Sequence, residues 1–397
     1  MIFSIKNKSK SDCSEAIIVV ELQCCGIEHA MCNAALIYTI YLTSLFKRIS
    51  FFAEKEHLDY VKNELRNLGI VNLIDCFVIN IPNRKLIGYK RLLIEVIICN
   101  HLYSLASGQK GTKMIFCSAT GTCLFAIKVL MLLKYRRTYT LVTIHSYLST
   151  LLKKQNWKSF LCLKNVLSIP HPANLYLIAL SESIMQNIQK LKLKNNTKWK
   201  VLPLAYFWTT ENSLIELPVH EYKFCFLGTG GADKGLLTFC NLADDISISC
   251  FNAKFVVAGF YSGDVNKKPF SEYIPAISNY PLEKGVYNKI VANSNYVVST
   301  SNPEHYKLTA SATFLDALSF LKPGIYLKND YIEYWFKKLG DIGYLCDTYD
   351  DIVLTIRSIV SNFPEKKYRN QIENIRKGRV IFEPKYLSKE LKEIIGT

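Results

Sequence analysis

The 397-residue chain contains no run of about eighteen uncharged apolar residues, so no segment is expected to cross a bilayer as a helix. Its first fourteen residues are rich in lysine and serine and lack the apolar core of a signal peptide, and a cytoplasmic protein is therefore expected. Cysteine is plentiful at thirteen, yet no two are spaced C-x-x-C, the count is odd, and Cys76, Cys117, Cys225 and Cys346 fall inside apolar, strand-like runs. That pattern argues against a disulfide framework or a zinc cluster, and for buried thiols in a reducing compartment. Carboxylates are nearly missing from residues 101–200, which carry 15 basic side chains, including Lys134, Arg136, Arg137, Lys153, Lys154 and Lys158, against one acidic. Residues 1–200 hold 27 Lys and Arg against 11 Asp and Glu, and the rest of the chain 22 against 22, so the whole net charge of +16 lies in the first half. Such an excess draws a protein to polyanions, each exposed cation near an anionic bilayer contributing on the order of 1 kcal/mol. No nucleic-acid-binding motif is present, and the basic residues alternate with leucine-rich helical stretches rather than exposed aromatics. An anionic membrane surface is the expected partner, and nucleic acid is not.

Strand-like apolar runs fall at residues 17–22, 49–53, 74–81, 114–118, 139–145, 175–181 and 199–204, and again at 223–228, 254–259, 296–300, 324–327 and 343–346. Helical patterns separate most of them. Alternating βα units imply parallel sheets covered on both faces, and a chain of this length exceeds the size at which a single core divides. The fold class is α/β, with two Rossmann-like domains. The expected boundaries are 1–205 for the first domain, 206–221 for a linker, 222–382 for the second domain and 383–397 for a short terminal helix.

Two segments of the second half carry recognisable chemistry. The run Tyr222-Lys-Phe-Cys-Phe-Leu-Gly228 reads as a buried strand and leads into Thr229-Gly-Gly-Ala-Asp-Lys-Gly235 and then an apolar helix. Glycines at 228, 230 and 231 let backbone approach an anion, the helix start carries partial positive charge, and Lys234 adds a full one. The second segment runs from Ser311 to Ile325. Its helix start, lined by Ser311, Ala312 and Thr313, presents backbone N–H groups to phosphate, Asp316 projects one turn further in, and Lys322-Pro323 ends the helix. Either segment alone fits ordinary turn and cap geometry; together they suit a sugar diphosphate.

At these residues the chain resembles the C-terminal half of the GT-B glycosyltransferases, in particular the large retaining group that builds bacterial surface polysaccharides. There a Gly-Arg-x-Lys-Gly-like turn and a Glu-x7-Glu segment, ending in Leu-Glu-Ala and Gly-Lys-Pro, hold the donor's diphosphate and ribose. Lys234-Gly235 matches the lysine turn, and Leu315-Asp316-Ala317-Leu318 with Lys322-Pro323 matches the second carboxylate and its exit. Thr229 stands where the arginine is usual and Leu308 where the first glutamate is. The resemblance implies a donor domain at 222–382 and an acceptor domain at 1–205 facing each other across a cleft, with the helix at 383–397 packing back on the first. It also implies Lys234 on the phosphates, Asp316 on the ribose, and a retaining reaction. The chain has no Asp-x-Asp triplet, on which single-sheet glycosyltransferases hold a metal; helix dipoles and basic side chains are expected to serve instead, with no metal and no cofactor.

In the first half the informative positions are those just past strand ends. Gly26, Glu28 and His29 lie in Gln23-Cys-Cys-Gly-Ile-Glu-His29, where members of this group commonly place the loop facing the transferred sugar. His145 follows the fifth strand and is the candidate for hydrogen bonding a sugar hydroxyl or moving a proton. Ser181-Glu182-Ser183 reads as a helix cap, and His57, His171, His220 and His305 show no partner pattern. The expectation is a cytoplasmic glycosyltransferase, peripheral at the inner face of the membrane. It would move a sugar from a nucleotide-sugar donor to a lipid-linked saccharide acceptor in cell-surface polysaccharide assembly. The alternatives are a nucleotide-sugar epimerase on the same fold, which needs no acceptor, and a catalytically silent assembly partner.

Overall fold

The computed structural model describes residues 15–83, 85–153, 160–193, 197–208 and 221–396. The segment before residue 15, Lys154, Lys158, His220 and most of the expected linker lie outside the described residues. The chain forms two compact units, one of Met1–Ile178, Leu193–Lys200 and Ser388–Thr397, the other of Ala179–Lys192 and Val201–Leu387. The boundary thus departs from the expected break at 205. Residues Ala179–Lys192 join the second unit because the Asn187 amide donates to the Lys307 carbonyl at 2.9 Å and to Asp330 at 2.8 Å. At the other end, the Lys113 ammonium donates to the Ile395 carbonyl at 2.7 Å, which fixes the end of the helix Pro384–Gly396 on the first unit.

The first sheet comprises β1 (Ala16–Glu21), β2 (Arg48–Ala53), β3 (Ile74–Val78), β4 (Lys113–Ser118), β5 (Thr140–Thr143), β6 (Leu175–Ala179) and β7 (Trp199–Val201), in the order β3-β2-β1-β4-β5-β6-β7. β1 pairs in parallel with β2 on one side and β4 on the other, and all six of its residues are buried. A parallel strand covered on both faces must be apolar throughout, which is why it reads as an unbroken run. The second sheet comprises β8 (Tyr222–Gly230), β9 (Ala253–Tyr261), β10 (Tyr296–Ser299), β11 (Gly324–Leu327) and β12 (Gly343–Cys346), in the order β12-β11-β10-β8-β9. Its core is aromatic: Phe224 stacks between Phe255 at 5.5 Å and Tyr296 at 5.8 Å. Cys117, Cys225 and Cys346 are buried thiols and Cys76 is half-buried, as their places in β4, β8, β12 and β3 require.

Each sheet reverses its strand order at one point, between β1 and β4 in the first and between β8 and β10 in the second. Loops leaving neighbouring strands there diverge to opposite faces and leave a crevice at the carboxyl ends, where open parallel sheets bind ligands. The sequence motifs of both halves sit at these two points.

Candidate functional site

In the second unit, β8 ends in a turn whose glycines are required by their surroundings. Gly228 has φ +80°, and a Cβ there would come within 2.6 Å of the Thr313 methyl. Two segments 85 residues apart, the glycine turn and the Ser311 helix start, are therefore in contact. Gly235 has φ +76°, and a Cβ there would lie 2.2 Å from the Thr300 carbonyl oxygen, just past β10. Hydrogen bonds close the same junction: the Thr300 hydroxyl donates to the Gly235 carbonyl at 2.7 Å and the Ser301 hydroxyl to the Lys234 carbonyl at 3.1 Å.

Lys234 points into this junction. Its ammonium donates to the Tyr306 hydroxyl at 2.9 Å and lies 4.8 Å from the centre of that ring. The Ser311 hydroxyl also donates to the Tyr306 oxygen, at 3.3 Å. Burial opposes ionisation of the Tyr306 phenol, but the Lys234 charge and the hydrogen bonds from Lys234, Ser311 and Ser301 outweigh it and hold its pKa below the ordinary tyrosine value. Ser311 caps the helix Ala312–Ser319 by accepting from the Phe314 N–H at 3.2 Å, and its oxygen lies 3.0 Å from the Thr313 hydroxyl. Lys234, Ser299, Ser301, Tyr306 and Thr313 line a small cavity between the ends of β8 and β10. The arrangement offers one full positive charge, four hydroxyls and a helix start to an anion.

The other predicted residues of this unit divide. Gly230 packs against Leu236, whose side chain a Cβ would meet at 2.3 Å, while at Gly231 the nearest atom would be the Ser262 hydroxyl at 3.7 Å, which leaves Gly231 the more open of the two. Ala312 opens the helix beside Thr313. Asp316 is half-buried, and both its oxygens are held: Tyr206 donates to Oδ1 and Tyr287 to Oδ2 at 2.8 Å. Burial pushes the Asp316 pKa up, against the two phenol hydrogen bonds. Leu308, eight residues earlier, is buried in the core. The helix ends at Ser319 with Phe320 as its C-cap, before Lys322-Pro323 can act on it. Leu321 follows in the left-handed region with φ +54°, and the Lys322 N–H returns to the Ala317 carbonyl at 2.9 Å in a Schellman closure. The Lys322 ammonium donates to the Ala292 carbonyl at 2.7 Å, closing the end of the helix Lys284–Ala292. Tyr206, Tyr287 and Tyr306 were not visible as site residues in the sequence, since a tyrosine in an apolar chain carries no spacing signal of its own.

In the first unit, the loop after β1 brings Gly26, Glu28 and His29 to the other crevice. His29 ends this loop as the residue before the helix Ala30–Leu42, with φ 53° and ψ 13°. Its ring lies 4.5 Å from that of His145, so two candidates 116 residues apart are neighbours. Glu28 is exposed beside them. Beneath the loop is a network that sequence reasoning missed. Glu21, buried at the end of β1, accepts from the Gln23 N–H at 2.7 Å, the Cys24 N–H at 3.1 Å, the Ser118 hydroxyl and the Asn33 amide at 3.2 Å. His57, fully buried, lies 2.9 Å from the same Asn33 nitrogen and 2.9 Å from the Gly26 carbonyl. Ser181 is a cap, accepting from the Ile184 N–H at 3.2 Å, and His171 packs with Nε2 2.8 Å from the Leu175 carbonyl.

No protein-family model matches the chain, and no curated protein matches it in sequence. Solved structures do. A glycosyltransferase from Rickettsia africae aligns over 96% of this chain and 98% of its own, with a TM-score of 0.64 at 13% identity. Sucrose-phosphate synthase from Thermosynechococcus elongatus aligns over 96% and 98%, with a TM-score of 0.63 at 11% identity. The fold is GT-B. A mutant of S. aureus TarM, in complex with fondaparinux, alpha-GlcNAc-glycerol and UDP, aligns over 77% of this chain and 59% of its own, with a TM-score of 0.56 at 14% identity. At these identities the GT-B likeness concerns the path of the chain, and the chemistry rests on the side chains described above.

Proposed function

We propose that the protein is a glycosyltransferase that moves a sugar from a nucleotide-sugar donor to a lipid-linked saccharide, in cell-surface polysaccharide assembly, without a metal ion and with retention of configuration. The observation that carries this reading is the contact of the Gly228–Gly235 turn with the Ser311–Thr313 helix start around Lys234. The donor's diphosphate lies over this junction. Lys234 and the helix start offset the charge that builds on the leaving phosphate as the bond from the anomeric carbon breaks and its electron pair goes to phosphate oxygen. Asp316, oriented by Tyr206 and Tyr287, keeps lone pairs for a ribose hydroxyl. The acceptor hydroxyl forms the new bond to the anomeric carbon and gives up its proton. His145, with His29 against it, is the group in the first unit suited to hydrogen bond a sugar hydroxyl or take that proton.

A membrane-bound acceptor is supported by the helix Gly88–Ser107. Tyr89, Leu93 and Ile97 are 65%, 60% and 66% exposed, and their spacing of four places them on one face. The only carboxylate between residues 76 and 181 is Glu95, which is buried and tied to Arg91 at 2.8 Å. The exposed charges of that stretch, Lys85 and Lys90 next to the apolar face among them, are cations. An apolar face rimmed by cations fits the interface of an anionic bilayer. No helix of the described residues is long and apolar enough to cross it.

The test is a transfer assay in chelator with a panel of labelled nucleotide sugars and anionic vesicles carrying bacterial lipid-linked saccharides. Label passing into the lipid phase is the expected result. An altered nucleotide sugar formed without acceptor would favour the epimerase, and bound nucleotide with neither product would favour the silent partner.

A further inference from the structure

The loop from Gln23 to His29 is gripped from below by a single chain of buried hydrogen bonds. An amide nitrogen only donates, so where Asn33 Nδ2 meets His57 at 2.9 Å the Nε2 of the imidazole accepts. The ring proton is therefore on Nδ1, which donates to the Gly26 carbonyl at 2.9 Å. The other hydrogen of the Asn33 amide goes to Glu21, whose second oxygen takes the Gln23 and Cys24 N–H groups. Glu54 closes the circuit by accepting the His57 backbone N–H at 2.9 Å, and the same oxygen lies 3.5 Å from the Gly26 backbone nitrogen. Two parts of one loop are thus tied from below, Gln23 and Cys24 to the end of β1 and Gly26 to the start of the helix Lys55–Asn67, with Asn33 of the helix Ala30–Leu42 joining the two anchors. A buried neutral histidine is satisfied by one acceptor for its N–H and one donor for its other nitrogen, which the Gly26 carbonyl and the Asn33 amide supply. His57 is thereby the middle member of a chain whose two ends both finish on the loop.

We propose that His57 is a positioning residue for sugar transfer: in its neutral form it fixes the loop that sets His29 against His145. The proposal rests on the glycosyltransferase reading only in naming what the loop handles; the clamp itself is a matter of geometry. A proton added at Nε2 would face the Asn33 N–H, donor against donor, and that bond would be lost. Glu21 on β1 and Glu54 before its own helix favour the charged ring, the Gly26 carbonyl accepts from it in either state, and the Phe51 ring of β2 lies 6.4 Å away. Burial outweighs the two carboxylates, so the pKa of His57 lies below the ordinary histidine value and the ring is neutral at pH 7.

Cys24 and Cys25 give the experiment its reporters, since Cys24 is buried at 6% exposure, its N–H held by Glu21, while Cys25 beside it is exposed. The full-length protein and its His57→Leu and His57→Gln variants are pulsed with iodoacetamide at pH 7.5, and alkylation of the two cysteines is resolved by peptide mass spectrometry. The proposal predicts that His57→Leu raises labelling of Cys24 relative to Cys25 at least tenfold. His57→Gln, whose amide can accept from Asn33 and donate to Gly26, raises it much less. Nucleotide affinity in the second unit stays at the parent value, and in the transfer assay the acceptor KM rises with the donor KM unchanged. Labelling of Cys24 as slow in a folded His57→Leu protein as in the parent overturns the proposal. If His57→Leu does not fold, Asn33→Ala leaves the imidazole and removes its donor, and the same two outcomes decide. A parent protein that binds no nucleotide sinks the glycosyltransferase reading while the cysteine result still stands or falls alone.

Discussion

The turn after β8 and the loop after β1 occupy equivalent places, each at the carboxyl end of the strand where its sheet reverses, but they are held differently. Around Lys234 the fit is made by backbone and small residues, with Gly228 against Thr313 and Gly235 against Thr300, and the one strong charge points into the junction onto Tyr306. Around Gly26 the fit is made by long polar side chains, Glu21, Asn33 and His57, that are themselves buried and reach the loop from below. A steric junction tolerates no added atom, and the Thr300 and Ser301 hydroxyls that close this one do not titrate in mild acid. A hydrogen-bonded one tolerates bulk better and is sensitive to a proton. The lesson is that two crevices of one fold can be pre-organised by different forces, and that each should fail in its own way.

The largest effect is expected from Gly235→Ala. The new methyl would sit 2.2 Å from the Thr300 oxygen at a backbone angle that disfavours it, so a loss of about 3 kcal/mol or more in urea unfolding is expected, together with loss of nucleotide binding. Gly26→Ala, also at positive φ but with nothing nearer than 3.5 Å, should cost only about 1 kcal/mol, and equal losses at both sites would break the comparison.

Acid should separate the units next. Burial is the main cause that holds His171 down at about 4, with Lys128 and Lys198 adding to it against the Leu175 carbonyl bond, and burial likewise lowers His57. The unfolded chain takes up these protons near the ordinary value of about 6.5, so the folded state loses stability as the pH falls from there toward 4 and keeps it above. Calorimetry from pH 7.5 to 4.5 should show the first unit's melting temperature dropping by on the order of 5 °C more than the second's. His171→Gln should reduce that drop. The smallest effect belongs to Asp316→Asn. It leaves one phenol facing an amide donor, so a loss of about 1 kcal/mol and a roughly fivefold weaker nucleotide are expected by urea unfolding and calorimetry.

Much of this was legible in the sequence, for definable reasons. Covered parallel strands must be apolar, and all twelve strands of the described residues appear as runs whose ends shift, as where residues 139–145 reduce to Thr140–Thr143 and residues 223–228 extend to Tyr222–Gly230. Gly228, Lys234, Ser311 and Thr313 were legible because glycine turns and helix caps are local signals. Glu21 was not, because a carboxylate at the end of an apolar run looks like the strand's exit to solvent, and the partner that explains it, Ser118, is 97 residues away. His57 sits in a helix whose other residues alternate charge and leucine, and only the fold shows it on the buried face. Tyr306 was hidden for the same reason: Lys234 reads as a lone cation until the chain brings a phenol from 72 residues further on beneath it.

The central claim is that the junction around Lys234 is built to hold a nucleoside diphosphate. Calorimetric titration of the purified protein with UDP, GDP, ADP and CDP in chelator tests it most directly, with Lys234→Ala alongside. The account predicts that one nucleotide binds selectively and that Lys234→Ala weakens it about tenfold to hundredfold, the worth of a charge-assisted hydrogen bond, without loss of stability. Failure of all four to bind at millimolar concentration, or binding unchanged by Lys234→Ala, would contradict it.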